Sequence, residues 1–220
     1  MTVLVLLGAP GAGKGTQAKV LEEKLGIPHL ASGDLLRAAV GARTPVGVEA
    51  DRFMSRGQLV PDATMIRLFL DRLAQPDAAS GAILDGFPRT RPQAEALDAA
   101  LAERGARVDR ALLIDVPIED LVQRAAGRRI CQASGHVYHL IANPPQVPGM
   151  CDIDGTPLIQ RDDDREETVR ARMNQQLGAL HEVEGFYRSK GILKTVDGRQ
   201  PITAVSQSLV AAVDSAKGVA

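Results

Sequence analysis

The sequence predicts an α/β fold: a five-stranded parallel sheet with helices on both faces, interrupted by a helical insert and by a lid. Three observations predict it. Short apolar runs recur along the 220 residues at Val3 to Leu7, Ile27 to Leu30, Gly81 to Asp85, Arg110 to Val116 and Leu193 to Val196. The first is too short for a helix and reads as a parallel strand buried on both faces, and Arg110 to Val116 reads as a further buried strand. Helix-like stretches alternate with them, and a glycine-rich loop, Gly8-Ala9-Pro10-Gly11-Ala12-Gly13-Lys14-Gly15-Thr16, joins the first run to the first helix.

That loop sets the chemistry. Its glycines let the backbone curl so that several N–H groups point at one anion, and the helix that follows adds its positive end. Lys14 brings a full charge to the β- and γ-phosphates of a bound nucleotide. The common phosphate-loop pattern has Ser or Thr directly after the Lys, whereas here Gly15 intervenes and Thr16 follows.

The remaining elements follow in order. Gly26 suits a left-handed cap for the first helix. Ser32 is the expected N-cap of a helix through Val40, and two more helices are expected over Val46 to Arg56 and Pro61 to Ala74, with Pro61 as first helical residue. This helical run breaks the strand rhythm, so residues 32-61 are predicted to be an insert. Gly86-Phe87-Pro88-Arg89 lies beyond the carboxyl end of the third strand, where open α/β sheets bind ligands. Thr90 and Gln93 form a T-x-x-Q capping box for a helix to Leu101. Pro117 starts a helix expected to reach Arg129, which would put Arg124 and Arg128 on one face. From Ile130 to Gln160 the helical period vanishes while Gly, Pro, Tyr and His accumulate. A structureless loop of that length is uncommon, so residues 129-161 are predicted to be a lid with its own hairpins. A long charged helix from Arg161 to Lys190 and a closing helix from Pro201 to Ala216 complete a core of residues 1-31, 62-128 and 162-220.

A formal net charge of -1 argues against a non-specific nucleic-acid binder, and two Tyr, four Phe and no Trp leave little for stacking on single strands. Of the 26 cationic side chains 20 are Arg, whose planar fork suits phosphate. The first apolar run is shorter than the core of a secretory leader, and none is long enough to cross a bilayer. The expectation is a cytoplasmic protein with neither nucleic acid nor membrane as partner.

Five separated motifs together resemble the adenylate kinases, in the long-lid bacterial form of the P-loop NTPase fold. They are Gly8 to Thr16, Ala31-Ser32-Gly33-Asp34, Asp85-Gly86-Phe87-Pro88-Arg89, Gly127-Arg128-Arg129, and Arg161-Asp162-Asp163-Asp164 continuing to Arg172. The resemblance implies reversible, magnesium-dependent phosphoryl transfer from ATP to AMP giving two ADP, for adenine nucleotide homeostasis, by a monomer. It also implies the site. ATP would meet Gly11, Ala12, Gly13, Lys14, Gly15 and Thr16, then Arg124 and Arg128, with Val137, Tyr138 and Gln200 at its base and ribose. AMP would meet Ser32, Arg37, Gln58, Leu59 and Val60, then Gly86, Phe87, Pro88 and Arg89, with Gln93 reading the adenine edge. Arg161 and Arg172 would reach the transferring group, Asp85 a magnesium-bound water, and Asp163 and Asp164 would fasten the lid. Such a reaction needs positioning and charge neutralisation, since the acceptor oxygen is already ionised. A kinase of the same fold acting on UMP or CMP is the nearest alternative, and a nucleotide sensor without turnover is the other.

Two cysteines make no disulfide framework. Cys131-Gln132-Ala133-Ser134 and Cys151-Asp152-Ile153-Asp154 have the spacing of a structural zinc site with Ser134 in place of the second Cys. Three arrangements stay open: a metal-free polar network, which ranks first, zinc held by Cys131, Cys151 and Asp154 with Ser134 or His136, and a Cys131–Cys151 disulfide. No catalytic Arg lies between the cysteines, so stability rather than catalysis should depend on the outcome.

Overall fold

Strand β1, Thr2–Leu7, is the middle strand of a parallel sheet. Val3 to Leu7 are all at most 3 % exposed, which is why five consecutive apolar residues are needed there. The sheet order is β2 (His29–Ala31), β3 (Gly81–Asp85), β1, β4 (Arg110–Asp115), β8 (Leu193–Asp197). The register sets Leu6 beside Asp85 and Asp85 beside Ala31, so the carboxyl ends of three neighbouring strands finish level. The connection after β1 runs one way across the sheet, to β2, and that after β3 the other way, to β4; the crevice beyond such strand ends is where this sheet type holds ligands.

The computed structural model describes residues 1–54, 60–161 and 164–217, and within them all side chains except those of residues 172–175 and 216–217. The chain divides into two compact units, one of residues 1–8, 13–115 and 178–220, the other of residues 9–12 and 116–177.

In the first unit, α1 (Lys14–Leu25) ends on Gly26 in the left-handed conformation at φ 64°, its N–H bonded to the Glu22 carbonyl, as the sequence predicts. Buried Gln17 ties α1 to α8 (Ile202–Lys217): its amide donates to the Ile202 carbonyl at 3.1 Å and accepts from Ser206 Oγ at 2.7 Å. The insert begins with α2 (Ser32–Gly41) and α3 (Pro45–Met54), which cross where a Cβ on Gly47 would lie 1.9 Å from the Ala39 carbonyl, so only glycine fits. Beyond it α4 (Asp62–Leu73) and α5 (Arg91–Ala102) pack on the sheet. Phe69 of α4 stacks on Phe87 with ring centroids 4.2 Å apart, and both rings are fully buried. Burial of one such ring contributes about 1.5–3 kcal/mol.

The second unit holds α6 (Ile118–Gly127), then a three-stranded antiparallel sheet of β5 (Arg128–Cys131), β6 (Val137–His139) and β7 (Leu158–Ile159) in the order β6-β5-β7, and the first part of α7 (Glu166–Ser189). Residues 129-161 thus contain antiparallel strands, within a unit that also takes in α6 and the start of α7. No helix among the described residues is long and apolar enough to cross a membrane.

Several expected helix ends differ. α2 is preceded by Ala31 as N-cap, and Ser32 is its first helical residue because the Ser32 hydroxyl bonds elsewhere. Pro61 is the N-cap of α4 at ψ 146°, one residue before the helix. α6 stops at Gly127 and Arg128 is extended at ψ 138°, so Arg124 and Arg128 do not share a helix face. α7 begins at Glu166, not Arg161. Only half of the capping box forms: Thr90 accepts from the Gln93 backbone N–H, while the Gln93 side chain bonds to Arg89 and Asp62.

Candidate active site

The glycine loop leaves the end of β1. Gly11 takes φ 86° and Gly13 φ 94°, backbone values that only glycine adopts without strain, and a Cβ on Gly11 would lie 3.2 Å from the Leu121 carbonyl. Lys14 opens α1 and its Nζ donates to the Gly8 carbonyl at 2.8 Å, which folds the ammonium back over the loop. Ala12 is buried, and Gly15 and Thr16 continue the first turn of α1.

Asp85 ends β3 beside that turn: a Cβ on Gly15 would stand 3.8 Å from its Oδ2. His29, on β2, bonds the same Oδ2 through Nε2 at 3.2 Å. Burial alone would raise the Asp85 pKa, but the His29 hydrogen bond and the charges of Lys14 and Arg89 outweigh it, so the carboxyl is held below its ordinary range. Sequence reasoning missed His29; a His three residues before Ser32 was its only signal.

Next to β3, Gly86 takes φ 75° and has no room for a side chain, since a Cβ would come within 2.4 Å of Ser32 Oγ and 3.0 Å of the Arg89 guanidinium. Arg89 donates from Nε to the Gly86 carbonyl at 2.8 Å and from a terminal nitrogen to Ser32 Oγ at 3.1 Å. Ser32 is thereby buried and held, with a donor-rich cationic fork at its hydroxyl. Gln93 is 4 % exposed, with both ends of its amide engaged: Oε1 accepts from the Arg89 N–H and Nε2 donates to Asp62 Oδ1, each at 2.7 Å. Asp62 is a second residue that sequence reasoning missed. Arg37, one turn into α2, pairs with exposed Asp34. Phe87 and Pro88 are buried, Phe87 against Phe69, so they shape the loop from beneath. Val60 packs on the core, whereas Gln58 and Leu59 lie outside the described residues. Gln200 is exposed in the turn before α8.

The second unit carries Arg124 on α6 and Arg128 at the start of β5. Arg128 is half-buried and forks onto Asp164, Nε to Oδ2 at 2.9 Å and a terminal nitrogen to Oδ1. The Arg161 carbonyl accepts the Asp164 N–H at 3.0 Å. Asp163 and the side chain of Arg172 lie outside the described residues. Val137 is exposed, but Tyr138 is only 6 % exposed and packs with Cys131, Cys151 and Leu158 in a small core of the second unit, its hydroxyl accepting the Asp152 N–H at 2.8 Å.

Cys131 and Cys151 are free thiols. Cys131 Sγ lies 2.8 Å from Thr156 Oγ1 and 3.0 Å from Ser134 Oγ, and Ser134 Oγ also bonds His136 Nδ1 at 2.7 Å and Asp154. The Ser134 and Thr156 hydroxyls hold the Asp154 carboxyl far below its usual range. Burial pushes the Cys131 thiol up, yet the Ser134 and Thr156 donors outweigh this and leave it lowered. Thr156, two residues past Asp154, was not singled out from sequence. The Cys131, His136, Cys151 and Asp154 donor atoms all lie within 4.8 Å of one another.

A family model described as adenylate kinase matches residues 6–192. An adenylate kinase of Exiguobacterium sibiricum is 50% identical over 92% of this chain and 94% of its own. One of Thermodesulfovibrio yellowstonii is 50% identical over 96% of this chain and 98% of its own, and one of Staphylococcus aureus is 44% identical over the same shares. With matches over most of its length, the chain belongs to the adenylate kinase family.

Proposed function

We propose that the protein catalyses reversible transfer of the terminal phosphoryl group of ATP to AMP, giving two ADP. The observation that carries this reading is Asp85, a carboxylate at the end of β3 that lies beside the first turn of α1 and within electrostatic reach of both Lys14 and Arg89. Lys14 serves a donor nucleotide and Arg89, with Ser32 and Gly86, an acceptor monophosphate, so two anion-binding places adjoin at the carboxyl ends of β1 and β3. A sensor that binds one nucleotide has no use for the second.

Arg89 and Arg37 neutralise and orient the acceptor phosphate, and Gln93 contacts adenine. Lys14, Arg124 and Arg128 bind the donor phosphates, with Arg161 and Arg172 on the transferring group. Each makes charge-assisted contacts that strengthen as negative charge shifts between the nucleotides. The ionised Asp85 suits a hydrated divalent cation, and a magnesium ion brought in with ATP would be held there through its waters and would supply further neutralisation of phosphate charge. The insert, 32-61, and the lid, 129-161, act as covers that keep water from the phosphoryl group.

The lid cluster also fits zinc. At zinc bond lengths of about 2.0–2.3 Å, tetrahedral ligands stand about 3.3–3.8 Å apart. His136 Nδ1 lies 3.3 Å from Cys151 Sγ and 3.7 Å from Asp154 Oδ2, and Cys131 Sγ lies 3.2 Å from Asp154 Oδ2. Cys131, His136, Cys151 and Asp154 would hold the ion as a crosslink of the lid, with His136 filling the place that Ser134 cannot.

The test is ADP formation from ATP with AMP, CMP or UMP as acceptor. AMP is expected to be preferred; preference for a pyrimidine monophosphate would move the assignment to the UMP/CMP type, and no ADP with any acceptor would leave only the sensor.

A further inference from the structure

The Gln93 amide is held by two partners of opposite polarity. At one end the Arg89 backbone N–H, which can only donate, faces Oε1 at 2.7 Å. At the other the Asp62 carboxylate, which when ionised can only accept, faces Nε2 at 2.7 Å. The direction of the amide therefore follows from the chemistry of its neighbours. Turning it over would set N–H against N–H and oxygen against carboxylate, losing two hydrogen bonds in a buried place. The second Asp62 oxygen is fixed too, accepting from Thr90 Oγ1 at 2.7 Å, so the carboxylate spans the first turns of α4 and α5 and is itself oriented.

A locked amide retains one oxygen lone pair and one N–H in a fixed order. The edge of a 6-aminopurine offers a donor at N6 beside an acceptor at N1, which complements that order. A 6-oxopurine offers an acceptor at O6 beside a donor at N1, the reverse order, and in the same pose both contacts become repulsive. An amide free to turn would serve either base. We propose that Asp62 is a specificity-determining positioning residue: by locking the direction of the Gln93 amide it makes the acceptor site take 6-aminopurine monophosphates and reject 6-oxopurine monophosphates.

This rests on the reading that Gln93 contacts the acceptor base, and the experiment separates the two. The ratio of kcat/KM for AMP to that for inosine monophosphate is measured with ATP for wild type, Asp62→Ala, Asp62→Asn, Thr90→Val and Gln93→Leu. Asp62→Ala leaves only the Arg89 N–H to resist turning, and the ratio is expected to fall about tenfold or more, the worth of one hydrogen bond to a charged group. Asp62→Asn keeps an acceptor of the same shape but halves its strength, so its ratio is expected to fall severalfold; it is the variant to read if Asp62→Ala does not fold. Thr90→Val removes the bond that orients the Asp62 carboxylate but leaves its acceptor oxygen opposite Nε2, and should lower melting temperature while lowering the ratio less than Asp62→Ala does. Gln93→Leu should flatten the ratio. An unchanged ratio in Gln93→Leu overturns the base-contact reading and the proposal with it. A flattened ratio in Gln93→Leu with an unchanged ratio in folded Asp62→Ala, or in Asp62→Asn when the Ala variant is unfolded, overturns the proposal alone, as does an equal fall in Thr90→Val.

Discussion

Arg128 and Asp164 are joined by a two-pronged ion pair in which the carboxylate is fully buried and the guanidinium about one-third exposed. The two halves should not cost the same to remove. Arg128→Ala strands a buried carboxylate, at about 3–5 kcal/mol. Asp164→Ala leaves an Arg that can still reach water, at about 1–3 kcal/mol. Urea unfolding of both variants checks this; equal losses would mean that the pair is not buried in solution.

Asp85 should act as a carboxylate throughout the neutral and mildly acid range. Its pKa lies below the ordinary 3.8, so its contribution is present above that value and is lost only as pH falls through the lower folded value. Asp85→Asn is expected to lower kcat about a hundredfold, the effect of losing about 2–4 kcal/mol of transition-state stabilisation. Between pH 5 and 8 its rate profile should run parallel to wild type. Profiles that converge on the acid side of that range would show that Asp85 takes up a proton there.

The root of the lid should loosen in mild acid. His139 Nδ1 accepts from the Ile141 and Ala142 N–H groups, both at 3.1 Å, which requires an unprotonated nitrogen. Burial first, then the charges of Arg124 and Arg129, lowers its pKa from 6.5. The neutral ring thus stabilises the fold above about pH 6.5, and that contribution is lost as pH falls through the lower folded value. Amide exchange of Ile141 and Ala142, corrected for intrinsic rate, should be faster at pH 5 than at pH 7.5. Unchanged protection would contradict the assignment.

The lid cluster predicts one zinc per chain in protein purified without chelator. Stripping it should lower the melting temperature while leaving turnover at low temperature largely intact, because none of the phosphate-binding Arg lies between Cys131 and Cys151. Metal analysis with a thermal scan reads both; metal-free protein of unchanged stability would leave the hydrogen-bonded network as the sole tie.

The inner strands β3, β1 and β4 were legible because each is a run of apolar residues that the sheet buries on both faces, as Val3 to Leu7 show, whereas the edge strand β8 leaves Lys194 and Thr195 exposed. The glycine loop and the Arg89 turn were legible because their constraints are local. What the sequence hid was long-range pairing. Ser32 reads as a helix cap until Arg89, 57 residues away, takes its hydroxyl. Gln93 reads as half of a capping box until Asp62, 31 residues away, takes its amide. The end of α6 was hidden for another reason: no Pro or Asn marks it, and the Arg pair after Gly127 favours helix as readily as strand.

The central claim is that donor and acceptor phosphates are held side by side, Lys14 on one and Arg89 on the other. The most direct measurement is the affinity of a bisubstrate analogue, two adenosines joined by five phosphates, for wild type, Lys14→Met and Arg89→Ala. Each substitution is predicted to weaken the same molecule at least tenfold, because one ligand spans both places. Undiminished binding to either folded variant would contradict the account.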